Sequence, residues 1–385
     1  MNPNQRRQRI PTAENSKGPA RLDRRRSASQ KAGTGAGLDT RLSRPAPLRP
    51  APPSVAPARP AESSFLVVSQ PNGHHYSPVS QPQKMSHPSY FGLKPAYLFT
   101  PKMLARRIWS KLFPPRSPHK IVRLPWGSAI EIDVTETIGS EIYKQGIFDI
   151  GVSECAWRLL KSGDQVLDAG ANIGYMTSLF AARVGRQGLV HSFEPHPRIR
   201  EKLMANVSRF TRDGATASIV VHDCALGDTR GTANLVEADD FATNQGSAFL
   251  AEGASTGKVA AQHQVKVSPL DEEMPTGNFG LLKIDVEGHE LKLIQGAQRL
   301  LHQKRVRHVI YEDHSQGKTG LPEVFAGHGY SIYSIGHTLF GLELTDFRKS
   351  IVLDTSWESP SYLATIDPAY VDAHISKGWQ IFKGR

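Results

Sequence analysis

Acidic residues lie at the ends of three successive hydrophobic runs in the central part of the chain. Asp168 belongs to the run QVLDA, Glu194 ends LVHSFE 26 residues further on, and Asp223 ends SIVVHD. Parallel strands bring their carboxyl ends to one edge of a sheet, where ligands bind. A carboxylate after a single strand more often forms a turn or caps a helix. Three carboxylates at successive strand ends instead favour one shared nucleotide site.

The segment DAGANIGYMTSLFAARVG has the pattern of a glycine turn that opens a helix. Gly170 and Gly174 would let the backbone approach a ligand, and the free N–H groups of the helix start would attract an anion. The spacing is DxGxxxG, whereas dinucleotide sites have GxGxxG. Because Asp168 would repel a pyrophosphate, we expect a cationic ligand. S-adenosylmethionine carries an ammonium and a sulfonium, and its carboxylate suits the helix start.

The other two acids fit the remaining parts of the same ligand. An acid after the second strand of a nucleotide-binding unit hydrogen-bonds ribose hydroxyls, which predicts this role for Glu194. Asp223 and Ala225 follow the third strand, where a side chain and the backbone can reach an adenine edge.

These motifs need a sheet to position them, and the chain alternates strands with helices from Asp164 onward. This alternation predicts a parallel sheet with helices on both faces. A strand-like insertion, with ANLVE, GSAFL and HQVKVSPLDE, interrupts it at 226–280. The predicted strands are 165–169, 189–194, 218–223, 281–286 and 306–312, followed by the runs YSIYSI and SIVLD, and the predicted helices are 173–184, 197–210, 290–302 and 320–327.

The first part of the chain differs in composition from the rest. Overall, 47 Lys and Arg stand against 36 Asp and Glu; through residue 120 the counts are 21 and 4, which leaves 26 and 32 for the remainder. A mildly acidic folded part makes nucleic acid an unlikely partner, because phosphates need a basic surface. We predict a disordered Arg- and Pro-rich tail at 1–95, an extension at 96–163, the main domain at 164–355 and a C-terminal extension at 356–385.

The extension at 96–163 has its own pattern. It predicts a short helix at 103–113, ended by Pro114 and Pro115, then a β-hairpin from IVRLP and AIEIDV, and helical spacing over 139–160. Cys155 and Cys224 are the only cysteines, which excludes a disulfide framework and favours a reducing, cytoplasmic location. No apolar run is long enough to span a membrane, so we expect a soluble protein.

Several of these segments resemble the FkbM family of S-adenosylmethionine-dependent methyltransferases. The resemblance covers roughly residues 120–315 and depends on DAGANIGYMTSLFAARVG, FEPHP, HDCALGD and above all LLKIDVEGHELKLIQGA. It implies a class I, Rossmann-like, seven-stranded sheet with its last strand antiparallel. It also implies O-methylation of a hydroxyl on a sugar, glycolipid or natural product.

The family pattern assigns roles to individual residues. Asp168, Gly170, Asn172 and Gly174 fall on the methionine-binding turn, Glu194 on the ribose acid, and Asp223 and Ala225 on the adenine segment. Asp285 and Glu287 fall on the fourth-strand motif that faces the transferred methyl. His289 stands where family members often carry an aromatic or small residue, and it completes the predicted catalytic group of Asp285, Glu287 and His289.

Transfer to an alcohol requires a base, since a neutral hydroxyl is a poor nucleophile. Asp285, His289, Glu312 and His314 are the candidates, each near the carboxyl end of a strand. A divalent-metal site formed by Asp285, Glu287 and His289 is an alternative, although we favour a site without a metal.

Two further functions compete with small-molecule or glycan methylation. The basic tail could hold RNA for methylation or binding, but no Pro-Pro-aromatic sequence follows IDVEGHE, as a base-methylating enzyme would have. A non-catalytic adaptor that has kept the fold is the third possibility.

Overall fold

The protein is described by a computed structural model over residues 101–382, except for 213, 239, 242, 252–260, 314–318, 339 and 348–359. The described residues belong to a compact unit that spans Met85–Arg385. The range 1–95 predicted as a tail, the run SIVLD and His314 lie outside the described residues. No helix in the described part of the chain is long and apolar enough to cross a membrane.

A helix, a β-hairpin and two further helices precede the central sheet. They are α1 (Pro101–Leu112), β1 (His119–Arg123), β2 (Ala129–Asp133), α2 (Thr137–Gln145) and α3 (Ile150–Leu159). The hairpin strands are antiparallel, as the sequence predicts.

The helical segment predicted at 139–160 is divided into α2 and α3. The division occurs because Gly146 takes a left-handed φ of 86° and ends α2. Asp149 then begins α3 by accepting a hydrogen bond from the Val152 backbone N–H at 3.1 Å. The turn between the two helices brings Phe148 and Asp149 to the wall of the cavity described below.

The central part alternates strands with helices, as predicted, and the predicted helix 290–302 is two short helices. The insertion supplies four strands and a helical turn. In chain order, the elements are β3 (Gln165–Ala169), α4 (Tyr175–Val184), β4 (Leu189–Phe193), α5 (Pro197–Phe210), β5 (Ser218–His222), β6 (Cys224–Leu226), β7 (Gly231–Glu237), β8 (Ala248–Ala251), β9 (Gln262–Ser268), α6 (Leu270–Glu273), β10 (Phe279–Ile284), α7 (Glu290–Gln295), α8 (Gln298–His302), β11 (Val306–Glu312), α9 (Leu321–Gly327), β12 (Ser331–Thr338), β13 (Gly341–Asp346), β14 (Ser361–Thr365) and α10 (Pro368–His374).

The main sheet has the strand order β13-β12-β14-β11-β10-β3-β4-β5. Strands β11, β10, β3, β4 and β5 are parallel to one another, whereas β14 is antiparallel to both of its neighbours, β11 and β12. The order reverses beside β3, which places a ligand crevice at its carboxyl end. This is the Rossmann-like, doubly wound sheet that the resemblance to the FkbM family implies, with β14 as its antiparallel strand, and β13 adds an eighth strand at one edge.

Strand β14 comes from the range 356–385, which the sequence predicted as an extension beyond the domain. The structure inserts it between β11 and β12, with all five of its residues buried. The sheet therefore continues past the predicted boundary at residue 355. The segment after α10 is also fastened to the fold, because the Glu154 carboxylate accepts hydrogen bonds from the backbone N–H groups of Gln380 and Ile381.

Apolar side chains cover both faces of the main sheet. One buried cluster joins the sheet to α3 and α4 through Leu159, Leu179 and Phe180. A second cluster covers the other face through Leu293 and Leu300 of α7 and α8. The insertion forms a separate four-stranded sheet in the order β6-β9-β7-β8, with a small apolar cluster of its own.

Candidate active site

A cavity of about 520 Å³ opens at the carboxyl ends of the central strands. Its floor comes from the ends of β3, β4, β10 and β11, and its walls come from α2 and the insertion. The position is the crevice where the strand order reverses, the usual ligand site of such sheets. Of the ten predicted site residues, seven line this cavity: Gly170, Asn172, Glu194, Ala225, Asp285, Glu287 and His289.

The glycine turn after β3 forms one side of the cavity. Gly170 has φ of 77°, and a Cβ atom there would lie 1.8 Å from the Asp285 carbonyl oxygen, so only glycine lets the turn pass this close to β10. Asn172 also takes a positive φ, of 49°, and its side-chain oxygen accepts a hydrogen bond from the Ile173 N–H at 2.7 Å. Gly174 begins α4 behind this turn and does not line the cavity.

Asp168 does not line the cavity, and its expected contact with a bound cation stays a prediction. Its side chain is fully buried and its Oδ2 accepts a hydrogen bond from Thr177 Oγ1 at 2.5 Å. Oδ1 has no hydrogen-bond partner among the described residues. Burial raises the pKa of Asp168, and the charge of Lys283, which faces it in register on β10, opposes that increase. Its position within β3, before the strand end, turns the carboxylate toward α4.

Glu194 lies at the end of β4 and is held by two backbone groups. Its carboxylate oxygens accept hydrogen bonds from the N–H groups of Asn172 and His196, each at 2.9 Å. Burial raises its pKa to about 7. This arrangement fixes a buried carboxylate beside the glycine turn, at the position predicted for the ribose acid.

The adenine segment is only partly as predicted. Asp223 is exposed and pairs with Lys266 at 2.9 Å, and this hydrogen bond lowers its pKa. The Asp223 side chain therefore does not reach the cavity, because its partner on β9 draws it to the outer surface. Ala225 does line the cavity. It belongs to an apolar wall of the cavity that the sequence did not predict. This wall is formed by Cys224, Ala225, Leu226, Leu235 and Leu250.

A buried lysine lies at the centre of the fourth-strand motif. Lys283 Nζ lies 2.8 Å from Asp285 Oδ2, and its side chain is 9% exposed. Burial opposes its positive charge, but the carboxylates of Asp285 and Asp168 outweigh this effect and raise the pKa of Lys283. Lys283 was not among the predicted site residues. The sequence did contain an indication of this residue, because Lys283 is the one charged residue in the otherwise apolar strand FGLLKI. All six residues of this strand are buried.

Two further carboxylates face the same part of the cavity. Glu287 takes a positive φ of 50° on the turn after β10 and stays open to solvent. Partial desolvation and the nearby charges of Asp285 and Glu290 raise its pKa to about 7. Glu312 ends β11, and its burial, together with the charge of Asp285, raises its pKa to about 9. The sequence placed Glu312 among the candidate bases, and the structure brings it to the cavity with Asp285 and Glu287.

His289 is the remaining member of the predicted catalytic group. It lines the cavity from the start of α7 and is half-buried. Its imidazole ring lies beside Gly227 in the insertion. A Cβ atom added to Gly227 would be only 3.3 Å from His289 Nε2.

Comparison with known proteins shows which family part of this chain resembles. Residues 168–332 match the family model described as the methyltransferase FkbM domain. This matched part, 165 of the 385 residues, is similar to the FkbM methyltransferases. The match begins at the predicted site residue Asp168 and ends in β12, and S-adenosylmethionine is the cofactor of this methyltransferase.

Among curated proteins, the chain is similar to methyltransferases whose names give different acceptors. It is 29% identical over 209 residues to the 31-O-demethyl-FK506 methyltransferase FkbM of Streptomyces tacrolimicus, covering 47% of this chain and 78% of that protein. It is 28% identical over 152 residues to the hexuronic acid methyltransferase AglP of Haloferax volcanii, covering 40% of this chain and 56% of that protein.

A solved structure is also similar. The FkbM methyltransferase of Methylobacillus flagellatus KT aligns with a TM-score of 0.36 and 16% identity, covering 60% of this chain and 48% of that one. This chain therefore spans about half of that protein.

Possible metal ligands converge beside the FkbM cavity rather than in it. Among the described residues, suitable atoms of His196, Glu237 and His263 lie within 4.8 Å of one another. Asp285, Glu287 and His289 form no such set in that part of the chain. Glu237 already accepts hydrogen bonds from both histidines and from the Arg198 guanidinium. These residues therefore form a hydrogen-bonded, charged network that joins β7 and β9 to the start of α5.

Proposed function

We propose that this protein transfers the methyl group of S-adenosylmethionine to a hydroxyl of a neutral, polyhydroxylated acceptor, such as a sugar, glycolipid or natural product. The observation that carries the proposal is the group of carboxylates, Asp285, Glu287 and Glu312, that the ends of β10 and β11 bring to one cavity. An alcohol acceptor must lose a proton as it is methylated, and Glu287, whose pKa is raised to about 7, can accept it.

The residues on the other side of the cavity fit the cofactor. Glu194 is a fixed, buried carboxylate suited to ribose hydroxyls, and the apolar wall around Ala225 and Leu235 suits a flat adenine ring. Gly170 and Asn172 would hold the methionine part. The cofactor supplies a methyl group on a cationic sulfur, already activated for transfer. The acidic cavity favours such a cation electrostatically.

Glu287 is the carboxylate we assign as the base. Asp285 is bound to Lys283, so part of its negative charge is already compensated. Glu312, with a pKa of about 9, holds its own proton at neutral pH. Glu287 has a pKa close to neutral and lies on the open side of the motif, so it can take a proton from an acceptor and release it to solvent. Lys283 keeps Asp285 in place beside it.

The charge of the cavity indicates which acceptors it takes. Glu141 and Asp149 add to the carboxylates on the acceptor side. An anionic acceptor would meet like charges there, which costs binding energy. The proposal therefore favours a neutral hydroxyl, the kind of position named in the 31-O-demethyl-FK506 methyltransferase, over a hexuronic acid, the substrate named for AglP. The same argument disfavours RNA in this cavity.

The proposal is tested first by calorimetry and methyl transfer. Purified protein should bind S-adenosylmethionine and S-adenosylhomocysteine, and NAD should serve as the negative control. Radiolabelled methyl donor should then transfer label to members of a panel of neutral sugars, glycolipids and hydroxylated natural products. Binding of NAD without binding of the methyl donor would refute the cofactor assignment. Label appearing only in RNA would refute the acceptor class.

A further inference from the structure

Helix α1 exposes a continuous apolar face. Ile108, Trp109, Leu112 and Phe113 are 51%, 62%, 66% and 53% exposed. The spacing of these four positions puts them on one side of a helix, and the rings of Trp109 and Phe113 lie 4.3 Å apart. They are four of nine exposed large apolar side chains in the described part of the chain. Scattered apolar residues are ordinary on a surface, but such a group marks an interaction site.

Arg106, at the border of this apolar face, joins α1 to α2. Arg106 Nε donates a hydrogen bond to the Tyr143 carbonyl oxygen at 2.9 Å, and the Arg106 guanidinium packs beside Gly146 at the end of α2. Helix α2 in turn lines the cavity with Thr137, Ile138 and Glu141. The apolar face of α1 is therefore attached directly to a wall of the cavity while facing away from the fold.

The segment that carries this face has charged side chains of one sign only. Residues 101–130 contain no Asp or Glu, and the next acid along the chain is Glu131. On α1, the helical spacing puts Arg106 and Lys111 at the two borders of the apolar face. The seven basic residues of this segment are Lys102, Arg106, Arg107, Lys111, Arg116, Lys120 and Arg123.

We propose that α1 docks the protein on an anionic lipid surface. Trp, Phe, Leu and Ile on one face, with Lys and Arg at its borders, are the features of a helix that lies in the plane of a membrane interface. Basic residues near an anionic bilayer strengthen binding through electrostatic attraction. At 12 residues, α1 is only about 18 Å long, so it lies on the membrane without crossing it. Nucleic acid is a weaker fit, because its phosphates offer nothing to Ile108 and Leu112.

Docking of this kind has a consequence for the acceptor. Because α2 joins α1 to the cavity wall, a docked α1 holds the cavity next to the lipid surface. The acceptor class that benefits is an amphiphilic one, with a polar hydroxylated part that reaches the cavity while its apolar part stays in the bilayer. This consequence rests on the proposed methyl transfer, whereas the docking itself does not.

The test is sedimentation of the full-length protein with vesicles. We expect binding to phosphatidylcholine vesicles that contain about 30% phosphatidylglycerol, and much weaker binding to pure phosphatidylcholine. The double variant Trp109→Ser with Phe113→Ser should bind roughly tenfold more weakly or worse, since burial of each ring contributes on the order of 1 kcal/mol or more. The matched control is Met204→Ser with Phe340→Ser, which removes two exposed apolar side chains elsewhere and should leave binding unchanged.

A spectroscopic measurement separates insertion of α1 from attraction by the basic tail. Brominated lipids should quench part of the tryptophan fluorescence of bound wild-type protein, and Trp109→Phe should keep vesicle binding but lose that quenching. Equal vesicle binding by the double variant and the wild type would overturn the proposal, because the tail would then account for it. Absence of vesicle binding, or an apolar-face effect seen only with RNA, would also overturn it. Calorimetric binding of S-adenosylmethionine would be unaffected by either outcome.

Discussion

The substitution Glu287→Gln tests whether this carboxylate removes the acceptor's proton. Glutamine keeps nearly the same size and shape but has no basic oxygen. The side chain is open to solvent, so the change should leave the fold intact. Loss of a positioned base costs roughly 10²–10⁴ in kcat. Because this interaction is needed mainly in the transition state, binding of S-adenosylmethionine should change little.

The pH dependence gives the sharper part of this prediction. Glu287 acts as a base only when deprotonated, so wild-type kcat should rise with pH through its pKa of about 7. At pH 6 roughly one-tenth of the molecules carry the deprotonated group, and turnover should be about one-tenth of the value on the alkaline plateau. The Glu287→Gln variant should lose this rise.

The assay is transfer of labelled methyl groups to any responsive acceptor, from pH 5.5 to 9, with cofactor affinity measured separately by calorimetry. The matched control is Glu343→Gln, an exposed carboxylate on β13 that does not line the cavity; it should keep both turnover and pH profile. If Glu287→Gln retained near-full turnover with an unchanged pH profile, the base would have to be another group, and the assignment would be wrong.

Two other substitutions test the cofactor side of the site. Glu194→Gln should weaken S-adenosylmethionine binding by roughly 1.5–3 kcal/mol, the range for a hydrogen bond to a charged group, as measured by calorimetry; unchanged affinity would remove Glu194 from the ribose site. Gly170→Ala should lower the free energy of unfolding by about 2–5 kcal/mol, since a left-handed backbone and a clash with the Asp285 carbonyl oxygen both oppose a Cβ there. Urea denaturation measures this loss, and an unchanged midpoint would contradict the close approach.

The local pattern of apolar and turn residues in the sequence predicted most strands of the main sheet. Strands β3 and β11 have the predicted bounds because their apolar runs are bounded by turn residues. Helix α5 also has its predicted bounds, with Pro197 at its start. Strand β14 could not be assigned in this way, since its place depends on the two strands it separates, β11 and β12, rather than on its own sequence.

Side-chain directions were harder to predict than strands. Asp223 was placed correctly at the end of a strand, but its exposure depends on Lys266, 43 residues away in the insertion. The sequence predicted that Asp168 faces a ligand in the cavity. In the structure its carboxylate is buried, accepts a hydrogen bond from Thr177 and is attracted by the charge of Lys283. A shift of one residue along a strand turns a side chain to the opposite face, so motif spacing alone does not decide what a carboxylate contacts.

The most direct test of the acceptor proposal compares two acceptors that differ only in a carboxylate, such as a neutral hexoside and its uronic acid counterpart. With S-adenosylmethionine as donor, we predict that kcat/KM for the neutral sugar is higher by roughly tenfold or more, because the uronate would meet the carboxylates of the cavity. The methyl group of the product should be found on oxygen. Equal or preferred methylation of the uronic acid would contradict the account.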